Sequence, residues 1–286
     1  MNYSIIIPYS DTPELLLRAI QSIPDRADIE VLVVDNGKKP LDVSILTDRK
    51  NVQVLHSPVG EGAGRARNEG LKHIQGTWLL LLDADDYFTE TAFDTMDQHL
   101  HSSADIIFYY LDSCYSDTKQ PATRHIGLNK LIDQYKQTCE EGILRYGWAS
   151  PCGKMIRTQL IQEHSIVFEE TQVANDVMFS LLTGYYAGSI DAVTSKVYCA
   201  TLRDGSLTTA IRLDNLAERI EVSARYNQFV KTHHLSQYQK SIMYYIYTAN
   251  KQYGLKAAIR LLWHSIKLGN NPFVGWMRWT QTVKNR

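Results

Sequence analysis

Short apolar segments alternate with segments of helical periodicity between Ser4 and Asp86, and this alternation constrains the fold more than any other feature. The apolar segments read "SIIIPYS", "IEVLVVDNG", "VQVLHS" and "WLLLLDADD". Each is short, and together they are rich in β-branched residues and leucine, which is typical of buried strands. The intervening residues 13–23 carry apolar side chains at helical spacing, with Thr12 as the N-cap and proline at the first helical position. Strands that alternate with helices predict an α/β fold with a mixed, mostly parallel central sheet flanked by helices.

Residues that could contact a ligand lie at the ends of three of these strands. They are Pro8 with Tyr9, then Asp35, then the group Asp83, Asp85 and Asp86. Ligands of such sheets bind beyond the carboxyl ends of the strands. We therefore expect these residues to gather at one edge of the sheet.

The segment "TWLLLLDADDYFTE" places three carboxylates within four residues, directly after an apolar run. Three neighbouring negative charges repel one another unless a cation or hydrogen-bond donors compensate them. Carboxylate oxygens at this spacing suit Mg²⁺ or Mn²⁺, which indicates a metal and phosphate site. The alternative is a solvated turn, in which Asp86 caps the next helix. An EF-hand is excluded because the position that requires glycine is Phe88.

A glycine-rich loop, "GEGAGRARNEG", leads into a helix after the third strand. A dinucleotide-binding loop follows the first strand, so that interpretation is rejected. Arg65 and Arg67 lie near a helix N-terminus, which favours anions, and are candidates to meet a diphosphate. For either arginine considered by itself, an exposed basic side chain in the first turn of the helix is an equally good interpretation.

Two further aspartates have two interpretations each. Asp35 is either an acceptor for a base or sugar, or a turn residue with Asn36 and Gly37. Asp176, at the start of an amphipathic helix, is either a helix cap or a general base. The residues alone do not separate these alternatives.

The bulk composition predicts an ordinary globular protein, with 44% hydrophobic and 21% charged residues. No signal peptide or membrane-spanning apolar run is visible, and we expect a cytoplasmic protein. The four cysteines show no paired spacing and are predicted to be reduced, mostly buried thiols. We expect no nucleic-acid partner.

The charge is asymmetric along the chain. Residues 222–286 contain ten Lys or Arg and no Asp or Glu, whereas the rest of the chain holds 20 basic and 31 acidic residues. Three of the five tryptophans, Trp263, Trp276 and Trp279, lie in this basic region. The pattern suits a peripheral position on the inner face of a membrane, and a helix packed on the catalytic domain is the alternative.

Taken together, these motifs resemble glycosyltransferase family 2, the nucleotide-sugar glycosyltransferases of the GT-A fold found in bacterial polysaccharide synthesis. The motifs are "SIIIPYSD", "VVDNGK", "GAGRARNEGL", "LLLLDADDYF", "CGKMIRTQLIQEHSIVFEE", "NDVMF" and "LRDGSLT". They cover about residues 3–209 in the order that the family has. The resemblance implies a GT-A catalytic domain over residues 1–213, with a nucleotide-binding half (1–111) and an acceptor half (112–213). Residues 214–286 then form a basic helical extension.

The resemblance also implies a role for each matching residue. Pro8 and Tyr9 would border the nucleobase, Asp35 would bind it, and Arg67 would lie near the diphosphate. Asp83 would contact the ribose, and Asp85 would coordinate Mn²⁺ or Mg²⁺. Asp176 would be the catalytic base of an inverting transfer, with a UDP-sugar as the favoured donor and a saccharide or lipid-linked acceptor.

The first motif departs from the family pattern, with Tyr9-Ser10-Asp11 in place of Val-Tyr-Asn. Two further positions also depart: Asn175 stands where an acid usually precedes the base, and Lys38 replaces a serine. These departures keep a second hypothesis open, a non-catalytic subunit that binds a nucleotide sugar. A metal-dependent phosphatase or nucleotidyltransferase that uses the same acids is the third hypothesis.

Overall fold

The computed structural model describes residues 1–46, 48–203 and 212–274, and the chain divides into two compact units. Unit 1 comprises Met1–Glu170 and Phe179–Asp204, and unit 2 comprises Thr171–Met178 and Gly205–Arg286. The boundary that the sequence predicts, after residue 213, stays a prediction, because residues 204–211 lie outside the described part.

Unit 1 is built on one mixed sheet whose strand order is β3-β2-β1-β4-β7-β6-β8-β5. The strands are β1 (Tyr3–Tyr9), β2 (Ile29–Asp35), β3 (Val52–His56), β4 (Trp78–Leu81), β5 (Tyr87–Phe88), β6 (Ile106–Tyr115), β7 (Lys154–Arg157) and β8 (Ile190–Leu202). The pairs β1–β2, β1–β4, β2–β3 and β6–β8 are parallel, and the pairs that involve β7 or β5 are antiparallel. The predicted α/β fold with a mixed, mostly parallel sheet is confirmed.

The centre of the sheet is apolar on both faces. Successive residues of β1, Ile5, Ile6 and Ile7, are fully buried, as are Leu32 and Val33 of β2. Neighbouring residues of a strand point to opposite faces, so a continuous buried run shows that helices cover both sides. This rigid centre fixes where the polar residues at the strand ends lie.

The described helices of unit 1 lie between the strands or after them. They are α1 (Pro13–Gln21), α2 (Gly62–Leu71), α3 (Ala92–Asp97), α4 (Ile126–Thr138), α5 (Gly142–Gly147), α6 (Thr158–Glu163) and α7 (Asp176–Tyr186), whose first three residues belong to unit 2. Helices α4 and α5 are separate rather than one continuous helix. Cys139 ends α4 in the left-handed conformation, at φ 57°, which breaks the helix.

Strand β7 was not predicted, because its four residues precede the helical pattern of α6 without an apolar run of their own. Its buried Met155 and Ile156 pair with β6, and Ile156 also pairs with β4. These antiparallel partners are distant in sequence, and the short strand is formed by them rather than by local preference.

Unit 2 contains α8 (Leu213–Thr232), α9 (Met243–Tyr253) and α10 (Leu255–Lys267). These helices pack around Leu216, Ile220, Ile246 and Leu261. The predicted helical extension is confirmed as far as Lys267. Trp276, Trp279 and the remaining residues of 275–286 lie outside the described part.

Three of the four thiols are buried, as predicted: Cys114, Cys152 and Cys199 are buried, Cys139 is exposed, and no disulfide joins any of them. In residues 1–46, 48–203 and 212–274, no helix is both long and apolar enough to cross a membrane.

Candidate active site

The carboxyl ends of β1, β2 and β4 lie side by side in unit 1. Tyr9 is the register partner of Asp35 across β1 and β2. On the other side of β1, the N–H of Leu82 donates to the carbonyl of Ile6 at 3.1 Å, which places Asp83 next to the same strand end. The expectation that these polar residues share one edge of the sheet is correct.

Asp35 is buried, and both of its carboxylate oxygens accept backbone hydrogen bonds. Oδ1 accepts from Gly37 at 2.9 Å and Oδ2 accepts from Leu41 at 2.8 Å. Asp35 thus shapes the loop after β2, as the turn interpretation requires. A carboxylate oxygen has more than one acceptor site, so Asp35 can also accept a donor from a ligand.

The same loop is held from β1 by Asp11, which the sequence analysis did not single out as a site residue. Its two oxygens accept from the backbone N–H groups of Lys38 and Lys39 at 3.2 and 3.0 Å, and these donors lower the pKa of the Asp11 carboxyl. Asp11 has a left-handed backbone at φ 55°, a conformation that aspartate adopts more readily than most residues. Tyr9 lies beside Asp35, and its pKa is raised first by burial and then by the charge of Asp35.

The glycine-rich loop is tied to the end of β2 by Asn36. Its side-chain amide donates to the carbonyl of Gly62 at 3.1 Å, and its own carbonyl accepts from the N–H of Gly60 at 3.2 Å. Both glycines have positive φ, 77° and 86°, which side chains other than glycine rarely tolerate. The glycines therefore serve this tight connection, which starts α2 at the edge of the sheet.

The two arginines of α2 have different environments. Arg65 is partly exposed and pairs with Glu170, Nη1 to Oε2, at 2.9 Å. Arg67 is buried, its Nη2 lies 2.6 Å from Asp83 Oδ1, and its guanidinium stands 5.2 Å from the Phe168 ring. Arg65 therefore matches the basic-first-turn alternative, whereas Arg67 lies among the residues at the strand ends.

The three aspartates after β4 also differ from one another. Asp86 is 2% exposed, and its carboxylate accepts from the Tyr198 hydroxyl and from the N–H of Thr201, both at 2.6 Å. Burial, followed by the charges of Asp83 and Asp85, raises the pKa of Asp86. Asp86 thus fastens the loop to β8 and does not cap the next helix, α3, which begins at Ala92 with Thr91 as its N-cap.

Asp85 keeps its carboxylate partly accessible while its backbone is fixed. Its carbonyl accepts from the Arg18 guanidinium and from Thr201 Oγ1 at 2.6 Å. Its Oδ2 lies 3.5 Å from Arg203 Nε. Burial, followed by repulsion from Asp83, raises the pKa of the Asp85 carboxyl, which Arg203 opposes.

Tyr198 and Arg124 line the site, and the sequence analysis missed both. A cavity of about 140 Å³ lies beside Asp83 and Asp86 and is lined also by Tyr198, Arg124 and Cys152. The Tyr198 hydroxyl accepts from the N–H of Asp83 at 3.3 Å while it donates to Asp86. No local motif marks these residues, since they reach the loop from β8 and from the segment before α4.

These residues suit a divalent cation whose remaining coordination positions are filled by oxygens of a bound ligand. In the part of the chain that the structure describes, no group of three or more His, Cys, Asp or Glu side chains is arranged to hold a metal. Magnesium sites, however, often use one or two carboxylates and take further oxygens from phosphates and water. Asp85 is partly exposed, and burial followed by the charge of Asp83 raises its pKa, so its carboxylate offers such an oxygen and would gain from a nearby positive charge.

Asp176 begins α7 and belongs to unit 2. Ala174, two residues earlier, has φ 58°, a conformation that costs a non-glycine residue about 1 kcal/mol. Within unit 2, burial lowers the pKa of Lys240 to about 8, and the Asp176 carboxylate acts in the opposite direction. The Lys240 ammonium stands 4.1 Å from the Tyr226 ring centroid, and Asn227 holds its backbone through hydrogen bonds at 2.7 and 3.0 Å. A half-buried carboxylate near an ammonium group is thus a feature of unit 2.

The sequence matches one family model, that of the family described as Glycosyl transferase family 2, over residues 4–164. Among curated proteins, the uncharacterized glycosyltransferase EpsJ of Bacillus subtilis is 24% identical over 271 residues, which cover 90% of this chain and 72% of EpsJ. The poly(ribitol-phosphate) β-N-acetylglucosaminyltransferase TarS of Staphylococcus aureus is 27% identical over 220 residues. That match covers 72% of this chain but 36% of TarS, so the chain spans about a third of the length of this relative.

A similar solved structure is the crystal structure of S. aureus TarS 1–349 in complex with UDP-GlcNAc. It has a TM-score of 0.72 and 19% identity, and the match covers 94% of this chain and 81% of that one. At this identity the likeness shows a shared fold, and the predicted GT-A fold is confirmed.

Proposed function

This chain belongs to glycosyl transferase family 2, and we propose that it transfers a sugar from a nucleoside diphosphate sugar to an acceptor hydroxyl. One observation carries the proposal: Tyr9, Asp35, Arg67, Asp83 and Asp85, from separate segments, lie at the adjoining carboxyl ends of parallel strands. An aromatic ring, carboxylates and a buried guanidinium together provide partners for a base, a ribose and a diphosphate.

The nucleotide would extend along this edge. Pro8 and Tyr9 border the base, and Asp35 accepts a hydrogen bond from it through a lone pair that the loop leaves available. Asp83 accepts from the ribose, and Arg67, held over Phe168, lies near the diphosphate. Arg124, which lines the cavity beside Asp83, adds a second positive charge.

Asp85 would hold Mn²⁺ or Mg²⁺ together with oxygens of the diphosphate. The support is the partly accessible carboxylate of Asp85, whose pKa is raised first by burial and then by the charge of Asp83. When bound, the cation would neutralise charge on the departing diphosphate. Because the Asp86 carboxylate is already engaged in two buried hydrogen bonds, Asp85 is the better candidate metal ligand of the two.

The reaction would be a single displacement with inversion. The Asp176 carboxylate takes the proton of the acceptor hydroxyl, and the oxygen bonds to the anomeric carbon. The bond from that carbon to the diphosphate breaks, and its electron pair leaves with the nucleoside diphosphate. An α-linked donor then gives a β-linked product.

We propose a UDP-sugar as donor, supported by the similarity to the structure of S. aureus TarS 1–349 in complex with UDP-GlcNAc. The acceptor class is a saccharide or a lipid-linked saccharide of polysaccharide or glycolipid synthesis, supported by the cell-wall enzymes among the relatives. The reaction would take place on the cytoplasmic side, where nucleotide sugars are the donors.

The test is release of the nucleoside diphosphate from a panel of UDP-sugars, with Mn²⁺, Mg²⁺ or a chelator. We expect donor hydrolysis that the chelator abolishes. Asp176→Asn should lower turnover at least about 100-fold with donor affinity retained, since general bases contribute 10²–10⁴-fold. Asp214→Asn, an exposed aspartate in the first turn of α8, is the matched control and should keep activity.

Asp85→Ala should abolish the metal dependence of nucleotide binding, whereas Asp94→Asn, exposed in α3, should not. Metal-dependent binding without turnover would instead favour a non-catalytic subunit. Release of inorganic phosphate or pyrophosphate without sugar transfer would support the third hypothesis and overturn the proposed one.

A further inference from the structure

Helix α10 has two apolar sides, and packing within unit 2 explains one of them. Ala258, Leu261 and Ser265 are buried among the helices of unit 2. Four other residues form the outer face of α10 and are exposed: Leu255 at 67%, Ile259 at 45%, Trp263 at 61% and Ile266 at 44%. A surface helix needs one apolar stripe to pack on its core, so a second one requires its own explanation.

The outer face is continuous along the helix. At about 100° per residue, its four side chains fall within roughly 80° of arc, and the buried ones lie on the other side of the axis. The spacing of four, four and three residues places each side chain above the previous one. The result is one narrow apolar strip over the full length of α10 rather than scattered exposed residues.

Positive charges border this strip. Lys256, Arg260 and Lys267 lie within the adjacent arc and are exposed. No acidic residue follows Glu221 in the sequence, and no ion pair of these three is found among the described residues. Glu221 itself pairs with His264, at 2.8 Å.

The shape and charge of this face distinguish between two binding partners, a second copy of the chain and a lipid membrane. A symmetric contact between two copies places the same patch of each copy against the other, so the facing α10 offers these basic side chains no acidic partner. An anionic lipid surface instead accepts the lysines and arginine at its headgroups while the apolar strip enters the acyl boundary. Tryptophan, central in the strip, prefers that boundary.

We propose that the outer face of α10, with Lys256, Arg260 and Lys267, docks the protein on a membrane surface that carries anionic headgroups. The interaction is independent of sugar transfer, so it stands or fails separately from the proposed reaction. It would keep the enzyme at the surface where lipid-linked molecules are found.

The experiment is cosedimentation of the full chain with two vesicle types, phosphatidylcholine alone and phosphatidylcholine mixed with phosphatidylglycerol. We expect binding to the mixed vesicles that weakens with salt and little binding to the neutral ones. The double variant Ile259→Ser/Trp263→Ser should lose at least about tenfold in affinity, because both apolar side chains enter the lipid. Lys256→Gln and Arg260→Gln should each cost about fivefold on the mixed vesicles.

Matched controls are Val43→Ser, which removes an apolar residue of unit 1 that is 55% exposed, and Lys231→Gln in the last turn of α8. Both should bind as the wild type does. Thermal unfolding should be unchanged in all variants, since the side chains replaced are exposed.

Equal binding of Ile259→Ser/Trp263→Ser and wild type would overturn the proposal and assign any binding to another segment. Absence of binding to the mixed vesicles would also overturn it. A concentration-dependent dimer that the double variant abolishes, seen in sedimentation velocity without vesicles, would assign the face to a second copy instead.

Discussion

Replacement of Tyr198 by phenylalanine tests whether the loop that carries Asp83 and Asp85 is fastened from β8. The substitution removes one buried hydroxyl that donates to Asp86 at 2.6 Å and accepts from the N–H of Asp83 at 3.3 Å. The ring remains, so the packing against Phe88 is kept. The change therefore isolates two hydrogen bonds at the base of the candidate site.

The magnitude follows from burial. Tyr198 is 1% exposed and Asp86 is 2% exposed, so the lost partner is poorly replaced by bulk water. A buried polar group without its partner costs about 1–3 kcal/mol. We expect about 2 kcal/mol less free energy of unfolding, which for a unit of this size lowers Tm by about 4–8 °C.

Tyr109→Phe is the matched control, because Tyr109 is also fully buried and its hydroxyl donates to the Met155 sulfur at 3.1 Å, a weak acceptor. This control substitution should lower the free energy of unfolding, measured with urea, by less than about 1 kcal/mol. Nucleotide affinity, measured by calorimetry with UDP and Mn²⁺, should fall about threefold in the Tyr198 variant and stay unchanged in the control. Equal stability losses in the two variants would refute the claim that Tyr198 fastens this loop.

Three further predictions concern other parts of unit 1. Because the pKa of Asp86 is raised in the folded state, the folded protein binds more protons and its stability should fall as pH rises above about 4; Asp86→Asn should flatten this slope in urea unfolding at several pH values. Arg67→Lys keeps the charge but loses the planar guanidinium over the Phe168 ring, so UDP affinity in calorimetry should fall about tenfold, whereas Arg65→Lys should change it little. Gly184→Ala places a Cβ 2.2 Å from a backbone carbonyl oxygen and should lower the free energy of unfolding by at least about 3 kcal/mol. Gly127→Ala, whose Cβ meets open space, should be neutral or stabilising. Thermal unfolding of both variants tests this.

The sequence was sufficient for the architecture because the decisive pattern is local. The buried runs of β1, β2 and β4 and the helical periodicity between them are visible in windows of a few residues. The shared edge of the sheet then follows from the rule that parallel strands end on the same side. Strand β7 escaped prediction because its partners come from residues far away in the chain.

The individual roles of charged residues were not predictable, since they depend on partners that the chain brings from elsewhere. Arg65 and Arg67 are two residues apart and chemically identical, yet one pairs with Glu170 at the surface and the other is buried against Asp83. Nothing in "GRARN" distinguishes them. Helical periodicity places them on different sides of α2, and Arg67 is on the side that meets Asp83 and Phe168.

The same reasoning explains how three neighbouring carboxylates are tolerated in one loop. Asp83 is compensated by Arg67 from α2, and Asp86 by two donors from β8. Asp85 has the weaker contact, at 3.5 Å to Arg203, and a raised pKa because burial and Asp83 disfavour its charge. A bound cation would relieve this repulsion, whereas the buried hydrogen bonds of Asp86 would have to break before Asp86 could serve the same purpose. The fold thus separates three like residues into a partner of Arg67, a candidate metal ligand and a structural anchor through the partners it supplies.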